Sequence, residues 1–390
     1  MSNYVKVGRE SSFGTASGTY TPIKVTSVSD DVDRGVLIEE TIDEYLATSA
    51  YGGALAISGS IEGNLRSNQF RDLIYSVMGD EAGTGYPYTY SFGIPQPITI
   101  RIGEDTGSSV ETQYVGGVIN SMNLSFEAKE FVKGTFNFIA KNVTDTSTTF
   151  DNAVTYVNEE PLIFYRAGIT FAGDSTIGVK SLSLDIDRGV DTDQFVLGDF
   201  TLRRIAMTSQ TAATGSMTLV ESEYDELKRA MYGDDESTSI SACNPVGQGT
   251  LIIECKTVCG DSSMLITCPV AILTKSARSF SGKSEVEKTV DYTIISDPDT
   301  PFTIVVSNTS VTGVDAAFTS KTDGLVATFT DTSTGSPTYW YWEFGDDEYS
   351  YEQNPIHTYA SGKTYSVKLT VDKQDSDEDS VTNSVTVSAL

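Results

Sequence analysis

The stretch "DVDRGV" at residues 31–36 returns as "DIDRGV" at residues 185–190, and the reading of the whole chain turns on that recurrence. Two further blocks keep the same spacing of 154 residues. "FRDLIYSVMGD" (70–80) is answered by "YDELKRAMYGD" (224–234), which aligns Phe70 with Tyr224, Leu73 with Leu227 and Gly79-Asp80 with Gly233-Asp234. "KEFVKGTFNFIA" (129–140) is answered by "KSEVEKTVDYTI" (283–294), keeping Lys129 with Lys283, Val132 with Val286 and Thr135 with Thr289. Solenoid repeats run at roughly 20–50 residues, so this longer period implies a whole domain copied in tandem.

Each copy reads as strands around one short helix. In the first, Ser67 is the expected N-cap, Phe70, Leu73, Ile74 and Val77 fall at helical spacing, and Gly79 stands where a helix ends. In the second, Ser222 caps with Asp225 three residues on, and Tyr224, Leu227 and Met231 form the stripe. Downstream the period changes to two. Met122, Leu124 and Phe126 share one face, Val132, Phe136, Phe138 and Ala140 another, and Val286, Val290, Tyr292 and Ile294 repeat the latter. The fold class is therefore mainly β, with two tandem barrels or sandwiches over residues 1–153 and 154–298. "DRGVLIEETIDEYLATSAYGGA" (33–54) fits neither period and is expected to be a long functional loop, an arm that reaches a neighbouring subunit.

Composition narrows the function. The 390 residues include 39% hydrophobic ones, with 20 Tyr and 17 Phe, enough for real cores of strand-forming type. The opening residues carry no charged-then-apolar leader and no apolar run nears the roughly 18 residues of a membrane span, so a soluble protein made in a cytoplasm is expected. The net charge of −28 is spread evenly, −9 over 1–153, −10 over 154–300 and −9 over 301–390. That balance argues against gripping nucleic acid, which needs clustered Lys and Arg. It suits a surface that repels DNA, or a protein kept hydrated in high salt. Cys243, Cys255, Cys259 and Cys268 match no paired zinc spacing and read as buried thiols of one hairpin, with disulfides as the alternative.

A chain with one imidazole, His357, offers no triad without a nucleophile positioned by other evidence, and cannot supply a multi-histidine metal site. Asp375, Asp377 and Asp379 alternate as in a calcium loop, but the Gly and the terminal Glu of that loop are missing. No phosphate-binding Gly-rich loop is found, and no carboxylate pair stands out as acid and base. The expectation is no enzyme, no cofactor and no metal.

Two resemblances carry the reading further. "YVKVGRESSFGTASGTY" is similar to the N-terminal arm of tail tube proteins of long-tailed viruses, which run Gly-x-Glu-x-x-x-Gly-Thr. "GITFAGDSTIGVKSLSLDIDRGVDTDQFVLGD" (168–199) and "GGVINSMNLSFEAKEFVKGTFNFIAKN" resemble that family's stacking-loop region and closing hairpin. Beyond the linker-like "SDPDTPFTIVVSNTS", residues 305–390 resemble a PKD-type immunoglobulin-like domain. Phe329, Asp331 and Ser333 match its first motif, and Trp342, Phe344, Gly345 and Asp346 its second. Asn354, Pro355, His357 and Tyr359 match its third, and the row Tyr365, Val367, Leu369, Val371 its fourth. Asp347 departs, because the family prefers Gly there. On this reading Trp340, Trp342, Phe344, His357 and Tyr359 are core, not catalysts.

The resemblance implies a major tail tube subunit, a structural virion protein. Two tube domains per chain would pack edge to edge, so that homotrimeric, pseudo-hexameric rings stack into a tube. Double-stranded DNA would pass the bore without specific binding. Partners would be further copies of the chain, other tail proteins at the tube ends and, weakly, glycans or a cell surface at the outward terminal domain. Asp33, Arg34, Glu39, Glu40, Asp43 and Glu44 on the first arm, and Asp187, Arg188, Arg203 and Arg204 on its counterpart, are the expected contacts between subunits or rings. A surface adhesin or carbohydrate-binding protein with a PKD module, and a single-ring distal tail component, are the rival readings.

Overall fold

The computed structural model describes residues 3–39, 49–105, 109–146, 150–151, 154–172, 178–191, 194–196, 199–219, 248–258, 262–279, 287–297, 299–308, 316–333, 337–373 and 377–389. The chain forms two compact units, 1–307 and 308–390. In the first half of the larger unit, strands β1 (Tyr4–Arg9), β2 (Thr21–Ile23), β3 (Ser27–Glu39) and β4 (Ser49–Asn64) precede helix α1 (Arg71–Met78). After it come β5 (Gly79–Ala82), β6 (Tyr88–Phe92), β7 (Ile98–Asp105), β8 (Ser109–Glu127), β9 (Lys133–Ala140) and β10 (Asn142–Thr146). The second half supplies β11 (Ile163–Phe171), β12 (Val179–Asp187), β13 (Ala212–Leu219), β14 (Gln248–Lys256), β15 (Ser262–Ser279), β16 (Glu287–Ile295) and β17 (Thr303–Asn308).

Pairing makes the two halves counterparts. β3, β4, β9, β8, β7 and β1 are joined in that order, all antiparallel. β12, β13, β16, β15, β14 and β11 are joined in the same order. Even the irregularities recur. The bulge between Ile119 and Ser121 on β8 returns between Leu273 and Lys275 on β15, and that between Ile98 and Ile100 on β7 returns between Gly249 and Leu251 on β14. A bulge bends its strand and adds twist, so matching bulges give the halves the same curvature. The strand β11 takes the place of β1, with Ile169 and Phe171 buried as Val5 and Val7 are.

The long strand β8 serves two layers. Its first part pairs with β7 and β10, its second with β9 and, on the other edge, with β12 of the second half. The change of layer falls at Gly116-Gly117, where Gly116 has φ +66°, a conformation open to glycine without a Cβ penalty. One ladder of eight strands, β3-β4-β9-β8-β12-β13-β16-β15, therefore crosses the midpoint of the unit without interruption. Outer ladders β2-β1-β7-β8-β10 and β11-β14-β15-β17 lie over it. The sheets are open, and no closed barrel forms among the described residues.

A large apolar core fills the space between the layers, joining Val7, Ile100, Phe136 and Phe138 of one half to Leu184, Met217, Ile253 and Tyr292 of the other. The expected helix is present, with Phe70, Leu73, Ile74 and Val77 all buried and Phe70 against Phe136, centroids 5.8 Å apart. Its start differs from expectation. Ser67 lies in a turn before Arg71 and donates through Oγ to Glu159, while the Asn68 and Gln69 amides donate to the same carboxylate at 2.8 and 3.3 Å. A side chain from between the halves thus satisfies amides that a local N-cap would have taken. Gly79 does end the helix, at φ +101°.

The expected linker around 296–310 contains a strand. Residues Thr303–Val306 pair with β6, and Phe302 stacks on Phe92 at 4.8 Å. Cys255 and Cys268 are buried free thiols on β14 and β15, as read from the sequence, and burial pushes Cys268 up to about 12. The second helix expected around 222–231 lies outside the described residues, as do Cys243, Cys259, Glu40, Asp43 and Glu44.

The smaller unit is a β-sandwich. Strands β18 (Phe318–Asp323), β19 (Val326–Asp331), β20 (Tyr339–Glu343), β21 (Tyr349–Ser350), β22 (Ile356–Thr358), β23 (Thr364–Lys373) and β24 (Asp377–Thr386) form sheets β18-β19-β22 and β21-β20-β23-β24. The row Tyr365, Val367, Leu369 and Val371 is buried in its core with Phe329, Trp342 and Phe344.

Candidate assembly surfaces

The eight-strand ladder has one face in the core and one turned to solvent, as antiparallel sheets commonly do. The turned-out face is built from small hydroxyls and amides. It carries Ser27 and Ser29 on β3, Ser58 and Ser60 on β4, and Thr135 and Asn137 on β9. Ser121, Asn123 and Ser125 follow on β8, Ser181 and Ser183 on β12, and Thr214, Ser216 and Thr218 on β13. Many bond one another across strands. Ser29 meets Ser60 at 2.9 Å, Asn137 donates to Ser121 at 2.8 Å, Ser183 meets Ser216 at 3.2 Å, and Asn123 donates to Asp185. The charges on this face are Asp31, Asp33, Glu62, Glu127, Asp185, Asp187 and Asp291 against Lys133 and Lys275. The sequence reading missed this face as a unit. Its signal was the polar partner of each apolar alternation, as in "KSLSLDID" and "GSMTL".

The 33–54 segment, read as a loop, is a hairpin wherever it is described. The strands β3 and β4 pair from Val36 with Gly52 to Glu39 with Ser49. Val36, Leu37, Ile38 and Tyr51 are 60–65% exposed there, apolar side chains turned to solvent. Asp33 and Arg34 lie on β3 at the base of this arm. Glu39 accepts a bond from Ser49 Oγ at 2.7 Å.

On the second half the expected contact residues separate. Asp187 accepts the Gly189 amide at 2.8 Å. Arg203 and Arg204 are exposed on a segment that meets Gln194, with Arg204 Nε 3.3 Å from its side-chain oxygen. Arg188 is not on the surface at all. It is 1% exposed, donates through Nη2 to the Gly93 carbonyl of the first half, and sits 4.8 Å from the Phe92 ring. Burial lowers its pKa to about 10, with Asp80 opposing the shift. Arg34, its sequence counterpart, is exposed. No sequence signal distinguishes the two.

The N-terminal Gly-x-Glu-x-x-x-Gly-Thr has a physical basis. Buried Glu10 accepts the Gly14 amide at 2.8 Å through Oε2, and through Oε1 the Thr99 hydroxyl at 2.8 Å and the Gly116 amide at 2.7 Å. The carboxylate ties the N-terminal arm to the bend of β8. A family profile described as phage tail tube protein matches residues 2–294. The chain belongs to the phage tail tube protein family. Membership makes it a component of the virion tail, in a family of structural proteins that assemble with themselves and with other tail proteins.

A second profile, described as PKD domain, matches residues 308–389 of this tail tube protein. The chain is similar to the crystal structure of the PKD1 domain of Vibrio anguillarum Epp, at 27% identity over 20% of this chain and 96% of that one, with a TM-score of 0.20. It is similar also to the PKD1 domain from the Vibrio cholerae metalloprotease PrtV, at 29% identity over 20% and 99%, with a TM-score of 0.19. No curated protein matches.

The geometry of the PKD domain gives its polar residues structural work. Trp342 is fully buried and its Nε1 donates to the Glu352 carbonyl at 2.9 Å. The His357 ring stacks on Phe344 at 4.2 Å and its Nε2 lies 2.8 Å from Asp346 Oδ2. The Tyr359 hydroxyl donates to the Phe344 carbonyl at 3.2 Å. Trp340 Nε1 donates to Asp331 at 2.8 Å, and the same carboxylate accepts Ser333 and Gln353. On the opposite face of β20, Tyr339 and Tyr341 gather with Tyr349 and Tyr351, neighbouring centroids 5.4–6.1 Å apart.

Proposed function

We propose that this tail tube protein is the major tube subunit, three chains closing a ring of six equivalent β units around a bore that conducts the viral DNA. The supporting observation is the eight-strand ladder that runs through both halves in one strand order, which leaves β3 and β15 as its ends. Three such ladders joined end to end make 24 strands. At about 4.8 Å between strands and a tilt near 40°, the backbone wall would be about 48 Å across. Side chains reaching about 5 Å inward leave a bore of about 38 Å, roomy for a duplex about 20 Å wide. Closure of the ring removes the open edges that make free sheets prone to unwanted pairing.

The hydroxyl-rich face lines the bore in this reading, so that DNA slides past without a basic patch to hold it. The β3–β4 hairpin, with the segment carrying Arg203 and Arg204, makes contacts between stacked rings. Residues 1–153 and 154–298 are the two tube domains, made in the host cytoplasm and carried in the tail. The PKD domain stands outward, and its exposed tyrosine cluster suits weak contact with sugar rings, which stack on aromatic faces.

Negative-stain electron microscopy of the purified chain tests this directly. Long hollow polymers with three chains per ring are expected. Monomers that persist across salt and concentration refute it, and a copy number of one ring per particle assigns the chain to the distal tail instead. Deleting residues 37–50 is expected to leave folded subunits that no longer stack.

A further inference from the structure

Within the chain, the second half docks on the first by adding β12 to the free edge of β8. Ser181 pairs with Glu127, Leu184 with Leu124, Asp185 with Asn123 and Asp187 with Ser121. The counterpart of β8 is β15, and the shared bulge fixes their correspondence residue by residue. The counterpart of β12 is β3, which is paired to β4 along one edge and carries no strand on the other among the described residues. At the opposite end of the ladder, β14 leaves β15 at Ile272, and Lys275–Ser279 continues along β16.

Resting on the ring reading, we infer that β15 of one chain takes β3 of a second copy in the register already used inside the chain. Ser29 then faces Ser279, Asp31 faces Ala277, Val32 faces Ser276 and Asp33 faces Lys275. The chemistry of the two edges fits. β3 presents Asp30, Asp31 and Asp33, and β15 presents Lys275. The Lys275 side chain is 71% exposed and only 3.7 Å from Asp291, so it can turn to a new carboxylate.

The difference between the two junctions is also informative. Inside the chain the core-side pairs are Leu182 with Phe126, Leu184 with Leu124 and Ile186 with Met122, all buried. The corresponding positions on β3 are Val28, Asp30 and Val32. A junction that never opens can be apolar. An edge that waits in water before assembly is better guarded by charge, which blocks pairing with wrong partners and admits one complementary strand. The same mapping reassigns Arg34. As the counterpart of buried Arg188, it goes into the junction between chains rather than between rings.

Paired cysteines test the register in the full chain. Asn123→Cys with Asp185→Cys is the internal control and is expected to close within one chain. Asp31→Cys with Ala277→Cys is expected to yield chains linked in a ladder ending at a closed trimer on a non-reducing gel. Asp31→Cys with Ser276→Cys, slipped by one residue and on opposite faces, is expected to stay monomeric on that gel, as is the unsubstituted chain. If the control closes and tubes form but the 31/277 pair stays open, the register is wrong while the ring reading survives. If the unsubstituted chain forms no rings, the ring reading itself has failed and this inference falls with it. A charge test needs no oxidation. Asp33→Lys and Lys275→Asp should each raise the critical concentration for polymerisation roughly fivefold, and the double variant should restore it. Failure of restoration, with both singles folded, overturns the pairing of these two positions.

Discussion

The turn after Trp342 offers the cleanest energetic test, because two of its residues hold left-handed backbone for different reasons. Gly345 has φ +82° and Asp347 has φ +71°. The turn is closed by the Phe344 amide on the Glu348 carbonyl at 3.1 Å. Asp347 is exposed, and among the described residues its carboxylate has no hydrogen bond to lose. The left-handed region costs a residue with a Cβ roughly 1–2 kcal/mol, somewhat less for Asp. Glycine in the unfolded chain takes back about 0.5–1 kcal/mol of that gain. Asp347→Gly should therefore stabilise the PKD domain by about 0.5 kcal/mol. For a domain of this size that is a melting shift of about +2 to +4 °C. Gly345→Ala should go the other way. Its Cβ would meet the Ser366 carbonyl oxygen at 2.6 Å and the Ser366 nitrogen at 3.2 Å, atoms of the β23 backbone that cannot swing aside. A loss of about 2 kcal/mol or more is expected. Both tryptophans lie in this domain, so urea titration followed by tryptophan fluorescence reads it selectively within the full chain. Destabilisation by Asp347→Gly would refute the strain argument and imply that the carboxylate holds the turn.

Three further outcomes follow from the same geometry. Glu10→Gln must point an amide N–H₂ at one of the donors from Gly14, Thr99 and Gly116, so a loss of about 2–3 kcal/mol in the larger unit is expected by calorimetry. A neutral result would mean that water replaces those bonds. Asp331 is pushed up by burial, but hydrogen bonds from Ser333, Gln353 and Trp340 outweigh this and hold its pKa below the usual 3.8. Its stabilising effect is complete above the unfolded value and is lost as pH falls through the folded one, so the urea midpoint of the PKD domain should fall as the pH drops below the ordinary carboxylate range. Asp331→Asn should flatten that pH dependence, and an unchanged profile would assign the acid lability elsewhere. Asp31→Lys with Asp185→Lys should convert tubes that ignore DNA into tubes that retain it at low salt. The log–log salt slope should be near −0.9 for each phosphate engaged, and no retention by intact tubes would remove this face from the bore.

Periodicity and repetition carry most of the fold, for physical reasons. Apolar alternation in "NSMNLSFEA" and "KGTFNFIA" needs only burial of one face to become β8 and β9, and the copied blocks force the second half to repeat the first. Helix α1 was legible in its stripe but not in its start, because Glu159, far away in sequence, supplies the cap that Ser67 was expected to give. The segment 296–310 looked like a linker because Pro and Ser are common in it, yet Phe302, Ile304 and Val306 alternate and are buried. The hairpin at 33–54 was missed as a strand for the opposite reason. Among its described residues the successive Val36, Leu37 and Ile38, with Tyr51 opposite, are exposed on both faces, so burial imprints no period there. Arg188 and Arg34 were indistinguishable because their difference lies in what stands opposite them, not in their neighbours along the chain.

Why the turned-out face combines hydroxyls with acids can be argued from distances. In the proposed ring the gap between wall and duplex is about 9 Å, close to the Debye length of about 8 Å at physiological salt. Carboxylates such as Asp185 and Asp291 then repel a centred duplex only weakly, and more strongly as it drifts toward one side. Repulsion alone would serve poorly at high salt, where screening shortens its reach to about 3 Å. The hydroxyls meet that case. Ser29 with Ser60, Asn137 with Ser121 and Ser183 with Ser216 bond one another, so each pair already engages one of its donors and fewer are left to aim at a phosphate. The acids centre the strand at low salt, and the paired hydroxyls keep the wall from binding it when the acids are screened. An even distribution of charge over the whole chain is compatible with this, since the bore needs only a few carboxylates and an absence of clustered cations, while the rest of the acidic surface serves hydration.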